Sequence, residues 1–293
     1  MISTVLRAPI HFVAQGGEPV HAPMVLATIG AIHTRLILDT GSDVHLLTAQ
    51  VAREAGLALE TLDTGTDHAG ASMDSWLVGD VPMTMDEASG DSRVVLQGVV
   101  AIPAPDAFSK LGIGGALSPQ RLHATAYAVI DEDADELLLV EGGPGSVRDW
   151  LLGRTPATNV LSMERRAGAD VPIVEAAIDP FEPVAVLVNT GGRHTEFEPE
   201  VLPGLASGTL ERIGTGVSGA AVMGGRAGHQ VLRFGGRSLE VAELMVRSGI
   251  GDPPAMIGQD VLRGSVVAVG PDPSTPVLWQ VDTLESKESR ERR

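Results

Sequence analysis

Short apolar runs rich in Val, Ile, Leu and Thr follow one another along nearly the whole chain, separated by breaks containing Gly, Pro and Asp. This is the pattern of strands joined by turns, and it predicts an all-β protein. In the first half the expected strands are 24–29, 34–38, 75–78, 94–101, 125–130 and 136–140; in the second they are 184–188, 231–234, 239–246 and 265–269. Helix signals are sparse. The clearest is 48–57, with Thr48 as N-cap and Gly56 as stop. Residues 148–152 and 198–202 give two shorter candidates. From Leu284 the chain reads L-E-S-K-E-S-R-E-R-R, charged and poor in apolar residues, which predicts a frayed tail.

Both halves run through the same order of events. An apolar strand (Leu36-Ile37-Leu38, Val186-Leu187-Val188) leads into a turn, D-T-G-S at 39–42 and N-T-G-G at 189–192. A Gly-rich polar stretch follows, at 68–72 and 214–225, then further strands and a hydrophobic-Gly element at 111–114 and 256–258. The two turns lie 150 residues apart, about half of the chain. Such self-similarity marks duplication. It predicts two related lobes, 1–145 carrying the first turn and 146–283 the second, with 284–293 as the tail.

Composition narrows the class. A chain of 293 residues with 43% hydrophobic content can bury a large core. The net charge of −17 argues against a nucleic-acid backbone or an anionic membrane as partner. There is no cysteine, hence no disulfide and no thiol chemistry. No signal-like start and no long apolar run occur, so a soluble, cytoplasmic protein is expected. Lys110 and Lys287 are the only lysines, and with the abundance of Ala, Gly and Val this reads as the bias of a GC-rich bacterial genome.

The chemistry centres on Asp39. A carboxylate closing a buried strand on a Gly-bearing turn is half of an acid–base site, and the second half-site carries Asn189 in the corresponding place. Three stretches carry a family likeness: L-I-L-D-T-G-S-D-V-H-L-L (36–47), A-Y-A-V-I-D-E-D-A-D-E-L-L-L-V-E-G-G (126–143) and M-I-G-Q-D-V-L-R-G-S-V-V-A-V (256–269). In these motifs and in their order the chain resembles the pepsin/retropepsin aspartic peptidases, over nearly its whole length. The resemblance implies a mainly β, pepsin-like bilobal fold with two related barrel-like lobes and an extended-peptide cleft between them. It implies that Asp39 and the Asn189 position form the catalytic pair. Thr40, Gly41, Thr190 and Gly191 would build the supporting turns, and Ser42 would hydrogen-bond its own Asp. A flap is expected near 68–78, with His68, Gly70, Ser72 and Trp76 facing substrate and His68 standing where relatives often carry Tyr. The only tyrosine, Tyr127, falls in an expected strand instead. Neither metal nor cofactor is implied. The expected partner is a peptide or protein, and a monomer fits.

Asn189 divides the functional reading. Hydrolysis of this kind uses two carboxylates sharing one proton, one as base toward water and the other as acid toward the carbonyl oxygen. Asp⁻ beside Asn keeps the charge count of Asp⁻ beside AspH, but an amide transfers no proton. Gly192 also lacks the hydroxyl usual after the second turn, so two losses fall together. One reading is an aspartic-type endopeptidase impaired by Asn189. Another is a pseudo-peptidase that binds a peptide or protein and cuts nothing, and a third has the retained carboxylate abstracting a proton from a bound peptide. Asp43, His45, Arg193 and His194 flank the turns and read as surface or supporting residues.

Other motifs carry less. D-T-G at 63–65 follows no buried strand and reads as a turn. G-T-G-V-S-G (214–219) matches a dinucleotide fingerprint but has no preceding strand or βαβ setting. The eight histidines show no metal-binding spacing, and Trp76, Trp150 and Trp279 are expected to pack rather than form a stacking platform.

Overall fold

A computed structural model describes residues 2–15, 18–19, 22–62, 64–67, 70–86, 92–154, 160–166, 168, 170–205, 210–216, 218 and 220–280. The first half contains β1 (Ser3–Pro9), β2 (Ala14–Gln15), β3 (Glu18–Pro19), β4 (Met24–Ile29), β5 (Ile32–Leu38) and β6 (Leu46–Thr48). After α1 (Ala49–Glu54) come β7 (Glu60–Thr61), β8 (Gly65–Thr66), β9 (Ser72–Met73), β10 (Trp76–Met85) and β11 (Ser92–Ile102). Then follow α2 (Asp106–Leu111), β12 (Ile113–Leu117), β13 (Ala126–Asp131), β14 (Glu136–Glu141) and α3 (Pro144–Arg154). The second half has β15 (Val160–Met163), β16 (Ile173–Ile178), β17 (Val184–Val188), β18 (Glu196–Phe197) and β19 (Glu211–Thr215). It ends with β20 (Ala221–Phe234), β21 (Arg237–Val246), β22 (Ala255–Ile257), α4 (Gln259–Leu262), β23 (Val266–Val269) and β24 (Val277–Gln280).

These strands form two barrel-like lobes. In the first, β11-β6-β12-β5-β4-β10 closes on itself through the β10–β11 pairing. In the second, β16-β17-β22-β18-β21-β20 closes through β16–β20. Strand for strand the two rings correspond. In each, the strand carrying the turn (β5, β17) pairs in parallel with the hydrophobic-Gly strand (β12, β22). Each barrel surrounds its own apolar core.

A third sheet, β1-β14-β13-β23-β24-β15, draws strands from both halves and joins them at β13–β23. Side chains of successive strand residues point to opposite faces. Accordingly Ala126, Ala128 and Ile130 enter the first barrel's core, while Tyr127 and Val129 meet Val147 and Leu151 of α3 on the other face. Being covered on both sides, β13 is apolar at five consecutive positions. In the second half Val267, Val269 and Trp279 fill the other barrel, where Trp279 stacks on Phe234 at 4.8 Å and donates Nε1–H to Ser265 Oγ.

Helix α1 begins where Thr48 predicts it, the Thr48 hydroxyl accepting Val51 N–H at 3.2 Å. The 148–152 candidate extends to all of α3, whereas 198–202 form turns rather than a helix. Two expected breaks are strands: β19 covers 211–215, and β20 starts at Ala221 inside the Gly-rich stretch. No helix among the described residues is long and apolar enough to cross a membrane. The tail from 284 lies outside the described residues.

Candidate functional site

Strands β5 and β17 deliver the D-T-G-S and N-T-G-G turns to one place where the lobes meet. Each turn is anchored to its hydrophobic-Gly strand: Asp39 N–H donates to Leu117 O and Asn189 N–H to Ile257 O, both at 2.9 Å. The two turns then hold each other. Thr40 N–H donates to Thr190 Oγ1 at 3.1 Å, and Thr190 N–H to Thr40 Oγ1 at 3.0 Å. In return Thr40 Oγ1 donates to Val188 O, and Thr190 Oγ1 donates to Leu38 O at 2.7 Å. Both threonines are fully buried, where a hydroxyl that accepts one main-chain group and donates to another leaves nothing unpaired.

The glycines bring the polar side chains face to face. A Cβ on Gly41 would stand 2.7 Å from Asn189 Cγ, and one on Gly191 would stand 2.5 Å from Asp39 Cγ. Only a residue without a side chain lets the opposite turn come this close. Gly41 N–H donates to Asp39 Oδ1 at 2.9 Å; Gly191 and Gly192 N–H donate to Asn189 Oδ1 at 2.9 and 3.0 Å. Asn189 Nδ2, at the other end of the amide, donates to Met256 Sδ at 3.5 Å. Both Asp39 and Asn189 remain partly exposed. Desolvation pushes the Asp39 carboxyl up from its ordinary value to about 6, with the Gly41 and Ser42 N–H groups pulling it back down.

Ser42 departs from the expected role. Its Oγ donates to Val44 O at 2.7 Å, not to the Asp39 carboxylate, because the turn bends its side chain toward its own following carbonyl. Of the flap residues, His68 lies outside the described residues. Gly70 and Ser72 sit in the β8–β9 hairpin. Trp76 is partly buried in a cluster with Ala49 and Ala52 of α1, with the Arg53 guanidinium 5.7 Å above its ring. The hairpin reaches the other lobe through Asp67. This residue is 8% exposed, and its carboxylate accepts Ala71 N–H at 2.9 Å and Ser218 N–H at 3.0 Å, Ser218 lying between β19 and β20.

Among the flanking residues, Asp43 and Arg193 are exposed. His45 is buried and neutral: Nδ1 accepts Ser118 N–H at 3.2 Å, Nε2 meets Arg121 O at 3.4 Å, and burial lowers its pKa to about 4. Thr195 is its counterpart 150 residues on, and its Oγ1 accepts Gly258 N–H at 3.2 Å. Both residues therefore fasten the turn-bearing loop to the hydrophobic-Gly strand.

Three supporting residues escape motif reading. Gln120 Nε2 donates to Thr40 O and Ser42 O at 3.3 and 2.9 Å. Gln259 Nε2 donates to Thr190 O and to Glu132 Oε1, each at 2.9 Å. The clamps are related, one amide per turn, and a Gln soon after each hydrophobic-Gly strand is the only trace in the sequence. Glu132, on the β13–β14 turn of the first half, thus supports the turn of the second; burial raises its carboxyl to about 7.

Fold and site together define an all-β protein of two barrel-like lobes whose paired turns set one carboxylate against one carboxamide. A scan of protein-family models and a search of curated proteins found no match to this chain.

Proposed function

We propose that this chain is a pepsin-like relative of the aspartic peptidases that holds an extended peptide between its lobes, with Asp39 as the surviving catalytic carboxylate. The reciprocal Thr40–Thr190 brace carries the reading. Four hydrogen bonds tie the two turns to each other and hold Asp39 and Asn189 face to face, which a lone structural turn does not need.

In this reading a water lies between Asp39 and Asn189. A carboxyl group titrating near 6 is mostly ionised at pH 7 and accepts the proton of that water as it attacks a peptide carbonyl. Asn189 orients the carbonyl oxygen through Nδ2–H, since its Oδ1 already serves Gly191 and Gly192. It delivers no proton, so collapse to products is slow and the site works as an impaired endopeptidase.

An Asp at 189 has the same shape: one oxygen takes the two N–H groups that Asn189 Oδ1 takes now, and the other replaces Nδ2. Asn189→Asp therefore restores the missing acid without rebuilding the turn. We expect it to raise cleavage of a diverse fluorogenic peptide library by about 10²–10⁴-fold, most strongly below neutral pH. Robust cleavage by the unaltered chain, abolished in Asp39→Asn, would refute the impairment. The second reading, a peptide-binding protein without hydrolysis, rests on the paired absence of an acid at Asn189 and a hydroxyl at Gly192. Binding without cleavage by either protein selects it.

A further inference from the structure

Away from the paired turns, a groove of about 620 Å³ runs along the first lobe beside two strand edges. Among the described residues strand β1 pairs only with β14. Strand β11 pairs with β10 on one side, but on the other meets β6 only at Val100–Ile102, so its edge over 92–97 has no neighbouring strand among the described residues. Arg93, Val94, Val95 and Gln97 all line the groove. Consecutive strand residues point to opposite faces, so a strand that lines a space with both sets presents its edge to it. From β1 come Val5, at an irregularity in the β1–β14 register, and Leu6. Val5 and Val95 are 42% and 56% exposed, uncommon for large apolar side chains in this molecule.

The charge of the groove runs against that of the chain. The sequence holds 38 acidic and 21 basic residues, yet among the described residues no Asp or Glu lines the groove, whereas Arg93, Arg121 and His123 do. His123 Nδ1 accepts the N–H groups of Thr125 and Ala126 at 3.3 and 3.2 Å, which puts its proton on Nε2 as a donor. Arg121 meets Asp170 at 3.0 Å, but both side chains are exposed, and a surface pair of this kind exchanges readily for another carboxylate. The floor is rigid: Gln120 lines it while its amide holds Thr40 O and Ser42 O.

An unpaired edge, exposed valines and clustered cations together specify their occupant. We propose that this groove is a second peptide site, which takes an extended acidic segment of a partner protein by adding it as a strand to the free edge of β11. Main-chain hydrogen bonds to β11 supply the register, Val5 and Val95 receive apolar side chains of the segment, and Arg93 and Arg121 select its carboxylates. The proposal stands apart from the reading of Asp39 and holds whether or not the cleft cuts peptides.

The test is selection of a random octapeptide phage library on the immobilised full chain, followed by synthesis of the enriched peptide. Acidic sequences that also carry β-branched residues are expected. By fluorescence anisotropy their affinity should fall at least tenfold in Arg93→Glu/Arg121→Glu, two exposed positions whose change leaves the thermal transition intact. In amide hydrogen exchange the bound peptide should protect 92–97. Failure to enrich any peptide, enrichment without acidic bias, affinity unmoved in the double variant, or protection confined to the 65–73 hairpin would each overturn the proposal.

Discussion

With an amide in the opposite turn, Asp39 is the one carboxyl group held between the paired turns among the described residues, and its proton affinity shows in stability. The folded value near 6 lies above the ordinary 3.8, so the folded state holds this proton more tightly than the unfolded chain. That stabilisation is complete below pH 3.8 and disappears as pH rises through 6. A shift of about two units corresponds to roughly 3 kcal/mol, less after allowance for the partial exposure of the group. Asp39→Asn should accordingly raise the free energy of unfolding above pH 7 by about 1–3 kcal/mol, and the gain should vanish below pH 4. Chemical denaturation at both pH values checks this, and a variant less stable at pH 8 contradicts it. Asn189 shows that an amide is accepted in such a turn. The brace makes the opposite prediction. Thr40→Val keeps the shape but leaves Thr190 N–H and Val188 O without partners in a dry place, at about 2–5 kcal/mol. Thr190→Val should behave alike, and because both remove one network the double variant should fall well short of additivity. These two threonines, Asp39 and Asn189 stand out in the sequence because a short motif recurs after an apolar strand. Gln120, Gln259 and Glu132 do not, since an amide clamp is defined by what lies across from it in space and leaves no periodic trace. The side-chain direction of Ser42 was equally illegible, depending on how tightly the turn closes after Gly41.

Among the elements, the β8–β9 hairpin of the first lobe meets the β19–β20 tip of the second. The Asp67 carboxylate links them by accepting Ser218 N–H. Asp67→Ala removes the acceptor for both Ala71 and Ser218, and should accelerate amide exchange at these two positions by about tenfold or more while the brace around Thr40 stays protected. Exchange measured by mass spectrometry with residue resolution is the check, and unchanged rates at Ser218 would show that the tips are held by other means. Element legibility followed composition. Strands such as β4 and β17 announce themselves by nearly continuous apolar residues, β5 by its closing Leu36-Ile37-Leu38 run, and α1 by its Thr48 cap. The start of β20 reads as a loop because it carries Gly224, Gly225 and Gly228. Those glycines serve a strand: a Cβ on Gly224 would stand 2.7 Å from Ile213 Cδ1, and the register shifts on both sides of Gly228. Helix α2 gives no sequence signal either, having no side-chain cap and no buried residue.

At the scale of the molecule, duplication was legible in the 150-residue spacing of the turns, and the two closed rings bear out the all-β, two-lobed expectation. The six-stranded sheet that joins them was only half visible. Strands β13 and β14 carry runs of five and four apolar residues because both faces are covered, whereas β1 alternates between exposed and buried positions and β15 is short. An edge strand covered on one face is indistinguishable in sequence from an irregular segment. That sheet also ties the two halves of the chain together independently of their covalent link. Strand β13 of the first half pairs along four residues with β23 of the second, and Glu132 reaches across to Gln259 and Gly264. A nick between α3 and β15 would therefore yield two polypeptides that stay zipped into one body, and each piece alone would expose a raw apolar seam seeking its counterpart.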